Sequence, residues 1–223
     1  MAHDHSFEPK IKAPKAMVDR AAEALIRNGF EVWVVEDKTK AADVFWNELI
    51  TKLEPKTISW GDSMTVMSLD LLPALRTAEA VEVIETFGEA LSWREQIRNR
   101  KKALSADLFL TGTNAITEQG QLVNLDMIGN RVAGMTFGPR HVVLFIGTNK
   151  IVENLEAAFE RIRKWSAPQN AIRHPDLKTP CQKTGVCMDC NSPQRICNTW
   201  TITEKSYPKG RIKIILIDEV LGL

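Results

Sequence analysis

The sequence predicts an α/β fold: a mostly parallel sheet flanked by helices, with an irregular cysteine-rich insertion near the end. Three observations carry this. Short apolar runs rich in β-branched or aromatic residues recur, such as Leu108–Leu110 and Val142–Ile146. Up to residue 105 they alternate with stretches of helical periodicity, the pattern of units that build parallel sheets. All four cysteines fall between Cys181 and Cys197.

The elements follow in order. Residues 15–28 place Met17, Ala21, Ala24 and Leu25 at helical spacing and end at Gly29, which marks a helix stop. Phe30–Val35 alternates as a strand. Residues 39–53 put Ala42, Phe45, Trp46, Leu49, Ile50 and Leu53 on one face of a helix that stops before Pro55. Lys56–Trp60 is a strand, and a polar turn leads from it into an apolar helix through Leu75. Val81–Thr86 is the next strand. Residues 89–105 form a helix whose basic run reads as a solvated face, with Arg94 or Arg98 as the side chains that would reach a substrate carboxylate. After Val142–Ile146, the segment Gly147–Lys150 opens an amphipathic helix carrying Ile151, Leu155, Ala158, Phe159, Ile162 and Trp165, capped by Thr148 or Asn149. Residues 168–199 are an irregular insertion, and Arg211–Leu216 is the last strand.

Composition narrows the classes. A chain of 223 residues with 44% hydrophobic content suits one domain over residues 15–223, preceded by a flexible tail, 1–14, that contains His3 and His5. A net charge of +1 gives no basic surface for nucleic acid. No apolar run is long enough for a membrane span, and the N-terminus has no signal-peptide core, so a cytoplasmic protein is expected. Whether the chain forms a homo-oligomer is left open.

Two regions carry chemistry. The first is a glycine-rich polar stretch between Leu108–Leu110 and Val142–Ile146, with Asn114, Glu118, Asn130 and Arg131 among its side chains. Glycine permits close backbone approach to a ligand, while Asn and Arg supply directional hydrogen bonds. The turn after Trp60 adds Asp62, Ser63 and Thr65 in a strand–turn–helix arrangement that can bind an anion or simply cap the helix. Lys150, in the first turn of its expected helix, opposes the helix dipole and so suggests an anionic partner. Asp62–Thr65, Thr113–Glu118 and Thr148–Lys150 all follow expected strands. If those strands are parallel neighbours, the three segments share one crevice.

The second region is Cys181-x5-Cys187-x2-Cys190-x6-Cys197. Four thiolates this close can surround one metal centre, the Cys-x-x-Cys pair chelating from a tight turn. With only one such pair, a 4Fe–4S cluster is favoured and zinc is the alternative. Four reduced cysteines, or two forming a reversible disulfide, is the plain reading. Arg195 and Lys183 are placed to offset thiolate charge, and His174 is an alternative ligand or a surface residue.

Four pieces in fixed order, GTNAITEQGQLVN, GNRVA, FGPR and GTNKIV, spread over residues 112–152, closely resemble the LUD family, the lactate-utilization proteins. The resemblance runs from about Lys15 to the C-terminus. It implies a fold similar to ribose-5-phosphate isomerase and the CoA transferases. Some members of that family are encoded with iron–sulfur proteins that oxidise lactate to pyruvate; for stand-alone members the resemblance implies no firm reaction. The turn after Trp60 looks like the phosphate loop of the ribose-5-phosphate isomerase group, but it has a single glycine and carries Asp62.

Three functions are expected in order. The first is a redox protein or enzyme acting on a small carboxylate, with Arg131 and Lys150 as counter-charges, Asn114 and Asn130 as orienting groups and Glu118 as proton acceptor. The second is a CoA or acyl transferase using Glu118 in Thr117-Glu118-Gln119-Gly120 as nucleophile. The third is a non-catalytic sensor or accessory subunit of an oxidoreductase with structural zinc. All rest on one spatial expectation: the cysteine segment folds over the mouth of the sheet.

Overall fold

Strands covered on both faces need apolar side chains at nearly every position. His141–Gly147 and Ile212–Ile217 meet that demand. The computed structural model, which describes residues 11–88 and 90–223, sets these two side by side in a six-stranded sheet that is parallel throughout. His3, His5 and most of the expected tail lie outside the described residues.

In chain order the strands are β1 Glu31–Val35, β2 Thr57–Trp60, β3 Glu82–Ile84, β4 Leu108–Thr111, β5 Ala115–Thr117, β6 Leu122–Asp126, β7 His141–Gly147, β8 Ile151–Val152, β9 Thr199–Thr203 and β10 Ile212–Ile217. The large sheet runs β1-β10-β7-β4-β2-β3. Alternation along its central strands divides the core. Val142, Leu144, Ile146, Ile214 and Leu216 face Val18, Ala21 and Leu25 of the helix Lys15–Arg27. Val143, Phe145, Ile215 and Ile217 face Phe45, Leu49, Leu71 and Leu75 on the other side.

A second sheet, β8-β5-β6-β9, was not expected from the sequence. Strands β5 and β6 form a hairpin, and β9 returns from the far side of the cysteine segment to pair antiparallel with β6. Ala115, Val123 and Val152 pack on Ala158 and Ile162 to make a third small core.

Three expected elements are corrected. Gly147–Lys150 does not open a helix. Residues 148–150 make one tight turn, Ile151 and Val152 pair with β5, and the helix starts at Leu155, where Asn154 Oδ1 accepts from Ala157 N at 3.0 Å. The β-branched pair Ile151-Val152 suits a strand better than a first helical turn. Second, the insertion does not begin at Pro168. Residues 155–172 form a continuous helical run with π-type turns at Ile162–Ser166, and Pro168 sits just after them, in the first turn of Ala167–Ile172. Pro168 cannot donate to the preceding turn, and the π-type turns just before it let the helical run continue past that missing donor. Third, the apolar helix after β2 is broken into Met64–Met67 and Leu71–Thr77 by Asp70, which has φ of +52°. Among the described residues no helix is long and apolar enough to cross a membrane.

Candidate functional site

Because β7, β4 and β2 are parallel neighbours, the segments leaving their C-terminal ends converge. They wall a cavity of about 600 Å³ with Asp62 and Ser63 after β2, Gly112–Asn114 after β4 and Lys150 after β7. The second sheet and its helix add Asp126, Asn130 and Arg131. The run 155–172 contributes Ile162, Ser166 and Asn170, one turn apart on one face, and Arg173 and His174 follow. Ile196 and Cys197 of the cysteine segment complete the wall. That segment therefore lies at the mouth of the sheet.

Arg131 holds this wall together. It is buried, and its five donors are all engaged. Nε donates to Asp126 Oδ1 at 3.0 Å, Nη1 to Gly112 O at 3.1 Å and Asn124 Oδ1 at 2.5 Å, and Nη2 to Asn114 Oδ1 at 2.8 Å and Asp126 Oδ1 at 2.5 Å. The expected role of Arg131 as a counter-charge for a ligand is therefore corrected: it has no donor left to offer. It instead orients Asn114, whose Oδ1 also accepts from Leu125 N at 3.0 Å. With the oxygen so fixed, the NH2 end of Asn114 is the part available to a ligand.

Asp62 is not a bare negative charge in an anion loop. Arg173 Nη2 lies 3.1 Å from its Oδ1, and His174 Nε2 lies 3.7 Å from its Oδ2. Burial alone would raise its pKa, but the nearby His174 imidazole and the Arg173 guanidinium hold it down to about 2. A carboxyl with a folded pKa below its unfolded value stabilises the fold above the unfolded value. That contribution is lost as pH falls through the folded one. Because a quarter of the Asp62 side chain is still exposed, screening trims the effect to about 1–2 kcal/mol. Urea unfolding should therefore show that much stability lost between about pH 4 and pH 2, and Asp62→Asn should remove this part of the pH dependence.

Ser63 caps the short helix Met64–Met67, accepting from Val66 N at 3.3 Å, so the capping reading of that turn holds. Thr65 is fully buried behind the wall and accepts from Lys150 Nζ at 3.1 Å. Lys150 is 4% exposed. Burial, then the neighbouring charges of Arg161 and Arg131, push its pKa well below the ordinary lysine range. Arg161, fully buried, donates to Asn114 O at 2.6 Å and to Ser166 Oγ at 2.7 Å, while its Nη2 has no partner. Burial lowers its pKa to about 10.

The basic helix Trp93–Lys102 does send an arginine to the cavity, but it is Arg100, not Arg94 or Arg98, which are exposed. Arg100 stacks 4.4 Å from the Phe87 ring centre and 5.2 Å from that of Trp93. Its spacing from Trp93 and Gln96, seven and four residues, was the available signal.

The four cysteines, none in a disulfide, line one small pocket. Cys197 belongs to this pocket and to the large cavity. Arg195 braces the loop, donating to Cys190 O at 2.6 Å and Cys197 O at 2.8 Å, while Lys183 is exposed. Burial pushes the Cys197 thiol up to about 11. Thiols alone suit an iron–sulfur cluster or zinc. Yet among the described residues no group of three or more His, Cys, Asp or Glu is arranged to hold a metal ion. The donor chemistry would suit such a centre, but the loop would have to draw in for the thiols to share one. Immediately after Cys197, Asn198 N donates to Asp126 O at 3.0 Å, and Thr199 then pairs with Asp126 as β9 begins.

The model of the LUD domain family matches residues 18–217. The chain belongs to the LUD domain family. No curated protein matches this LUD domain. Among solved structures, a DUF162 family protein from Deinococcus radiodurans is similar over 91% of this chain and 96% of its own, with 14% identity and a TM-score of 0.47.

In this LUD domain the Thr117-Glu118-Gln119-Gly120 turn is not part of the cavity. Glu118 pairs with Arg20, Nε to Oε2 at 2.5 Å. It stands four residues along the strand direction from Asn114, roughly 13 Å at the usual strand rise. Gly120, with φ of +76°, packs on a helix: a Cβ there would meet Leu25 N at 2.7 Å. The expected roles of Glu118 as proton acceptor or nucleophile are corrected on this ground.

Proposed function

We propose that this LUD domain binds a small carboxylate in the cavity beyond the sheet and couples it to a redox centre held by Cys181, Cys187, Cys190 and Cys197. The observation that carries the reading is the position of Cys197 on the wall common to the cysteine pocket and the large cavity. Anion binding is supported by Arg100, which lines the cavity and makes no salt bridge among the described residues, and by the amide NH2 end of Asn114. A 4Fe–4S cluster is favoured over zinc, since the set is all thiol with a single Cys-x-x-Cys pair. When bound, such a cluster supplies one-electron transfer. The chain's own residues would bind and orient the anion: Asn114 through its NH2 group, Arg131 by fixing Asn114. A partner oxidoreductase subunit would take or supply the electrons.

Anaerobic purification with an absorption spectrum and iron, sulfide and zinc analysis tests this. A brown protein with about four irons per chain, lost in Cys197→Ser, is the expected result. A colourless protein with one zinc would overturn the redox coupling and leave a structural metal site.

A further inference from the structure

Lys150 is unusual for a buried lysine. Among the described residues it forms no ion pair, and its charged neighbours, Arg161 and Arg131, are both cations. It donates to a hydroxyl, Thr65 Oγ1, at 3.1 Å. Thr65 passes its own hydrogen to Leu221 O at 3.4 Å, so Lys150 is the donor and its nitrogen lone pair points away from Thr65. Gly222, with φ of +67°, closes the floor beneath: a Cβ there would lie 2.5 Å from Thr65 Oγ1 and 3.0 Å from Lys150 Nζ. The side chain is thus held in place on the cavity wall. Burial between two cations disfavours the ammonium form, and an uncharged amine is a nucleophile toward carbonyl carbon.

We propose that Lys150 Nζ condenses with the carbonyl of a 2-oxo acid bound in the cavity. This rests on the reading that the cavity takes a small carboxylate, and it adds that the substrate carries a carbonyl beside that carboxylate. The nitrogen attacks the carbonyl carbon and forms a carbinolamine. Both amine hydrogens leave with the carbonyl oxygen as one water, and a C=N bond remains; no electrons are exchanged. Asn114 offers its NH2 group to the carboxylate.

The test incubates the full chain with pyruvate, the smallest 2-oxo acid that is a ketone, and sodium cyanoborohydride, then maps adducts by peptide mass spectrometry. Pyruvate and acetate binding are measured in parallel by calorimetry on the wild type and on Lys150→Met. Reduced adduct on Lys150, enriched roughly tenfold over exposed lysines and suppressed by excess acetate, is expected. Lys150→Met should lose the adduct. Pyruvate binding without adduct on Lys150, or adduct spread evenly over surface lysines, overturns the amine chemistry and leaves the carboxylate cavity standing. Failure of both acids to bind, with no adduct on Lys150, overturns both.

Discussion

Arg131→Met should destabilise the fold by about 3–5 kcal/mol, the usual loss when one partner of a buried ion pair is removed. The cost does not come from a missing attraction alone. Asp126 would keep a buried carboxylate without its cation, and Gly112 O, Asn124 Oδ1 and Asn114 Oδ1 would each lose a donor. Water can reach few of these atoms, so desolvation is not recovered. Urea unfolding of the variant beside Asp126→Asn checks it. Asparagine keeps an oxygen acceptor for Arg131 and should lose clearly less. Equal losses in both variants would mean that the charge, not the hydrogen-bond set, holds the wall.

Lys150→Met should act in the opposite sense, raising stability by about 1–3 kcal/mol, because an apolar side chain of similar length replaces an amine buried without an anion. The pH dependence supplies a second signature. Lysine in the unfolded chain holds its proton up to about pH 10.4, whereas burial and the two arginines lower the folded value. Between the folded and unfolded values the unfolded state binds more protons, so wild-type stability rises with pH across that window. Lys150→Met should lose this slope. A variant less stable than the wild type at neutral pH would show that the Thr65 contact outweighs the burial of the amine.

Much of the frame was legible in the sequence, because strands buried on both faces read as continuous apolar runs. All six strands of the large sheet were expected near their observed bounds, and with them the meeting of the turns after β2, β4 and β7. The second sheet was hidden for physical reasons. β5 and β8 have three and two residues, too short for a period to register, and β9 (TWTIT) shows no alternation of buried and exposed residues strong enough to stand out from the loop before it. The irregular insertion was expected to begin at Pro168 because the π-type turns that carry the helical run past it leave no residue signature. Asn114 and Lys150 were legible as cavity residues from their neighbours in sequence. Arg161 was not, since an arginine inside an amphipathic helix reads as part of its wet face. Glu118 misled because its turn is glycine-bearing for a packing reason, the contact of Gly120 with the helix Lys15–Arg27.

The backbone bond from Asn198 to Asp126 has a mechanical consequence. Asp126 clamps the guanidinium that orients Asn114, and the residue bonded to Asp126 is covalently next to Cys197. Sulfur and amide thus hang from a single strut only a few bonds long. Any displacement of the Cys197 thiol would drag that strut and be passed to the amide of Asn114 on the cavity wall.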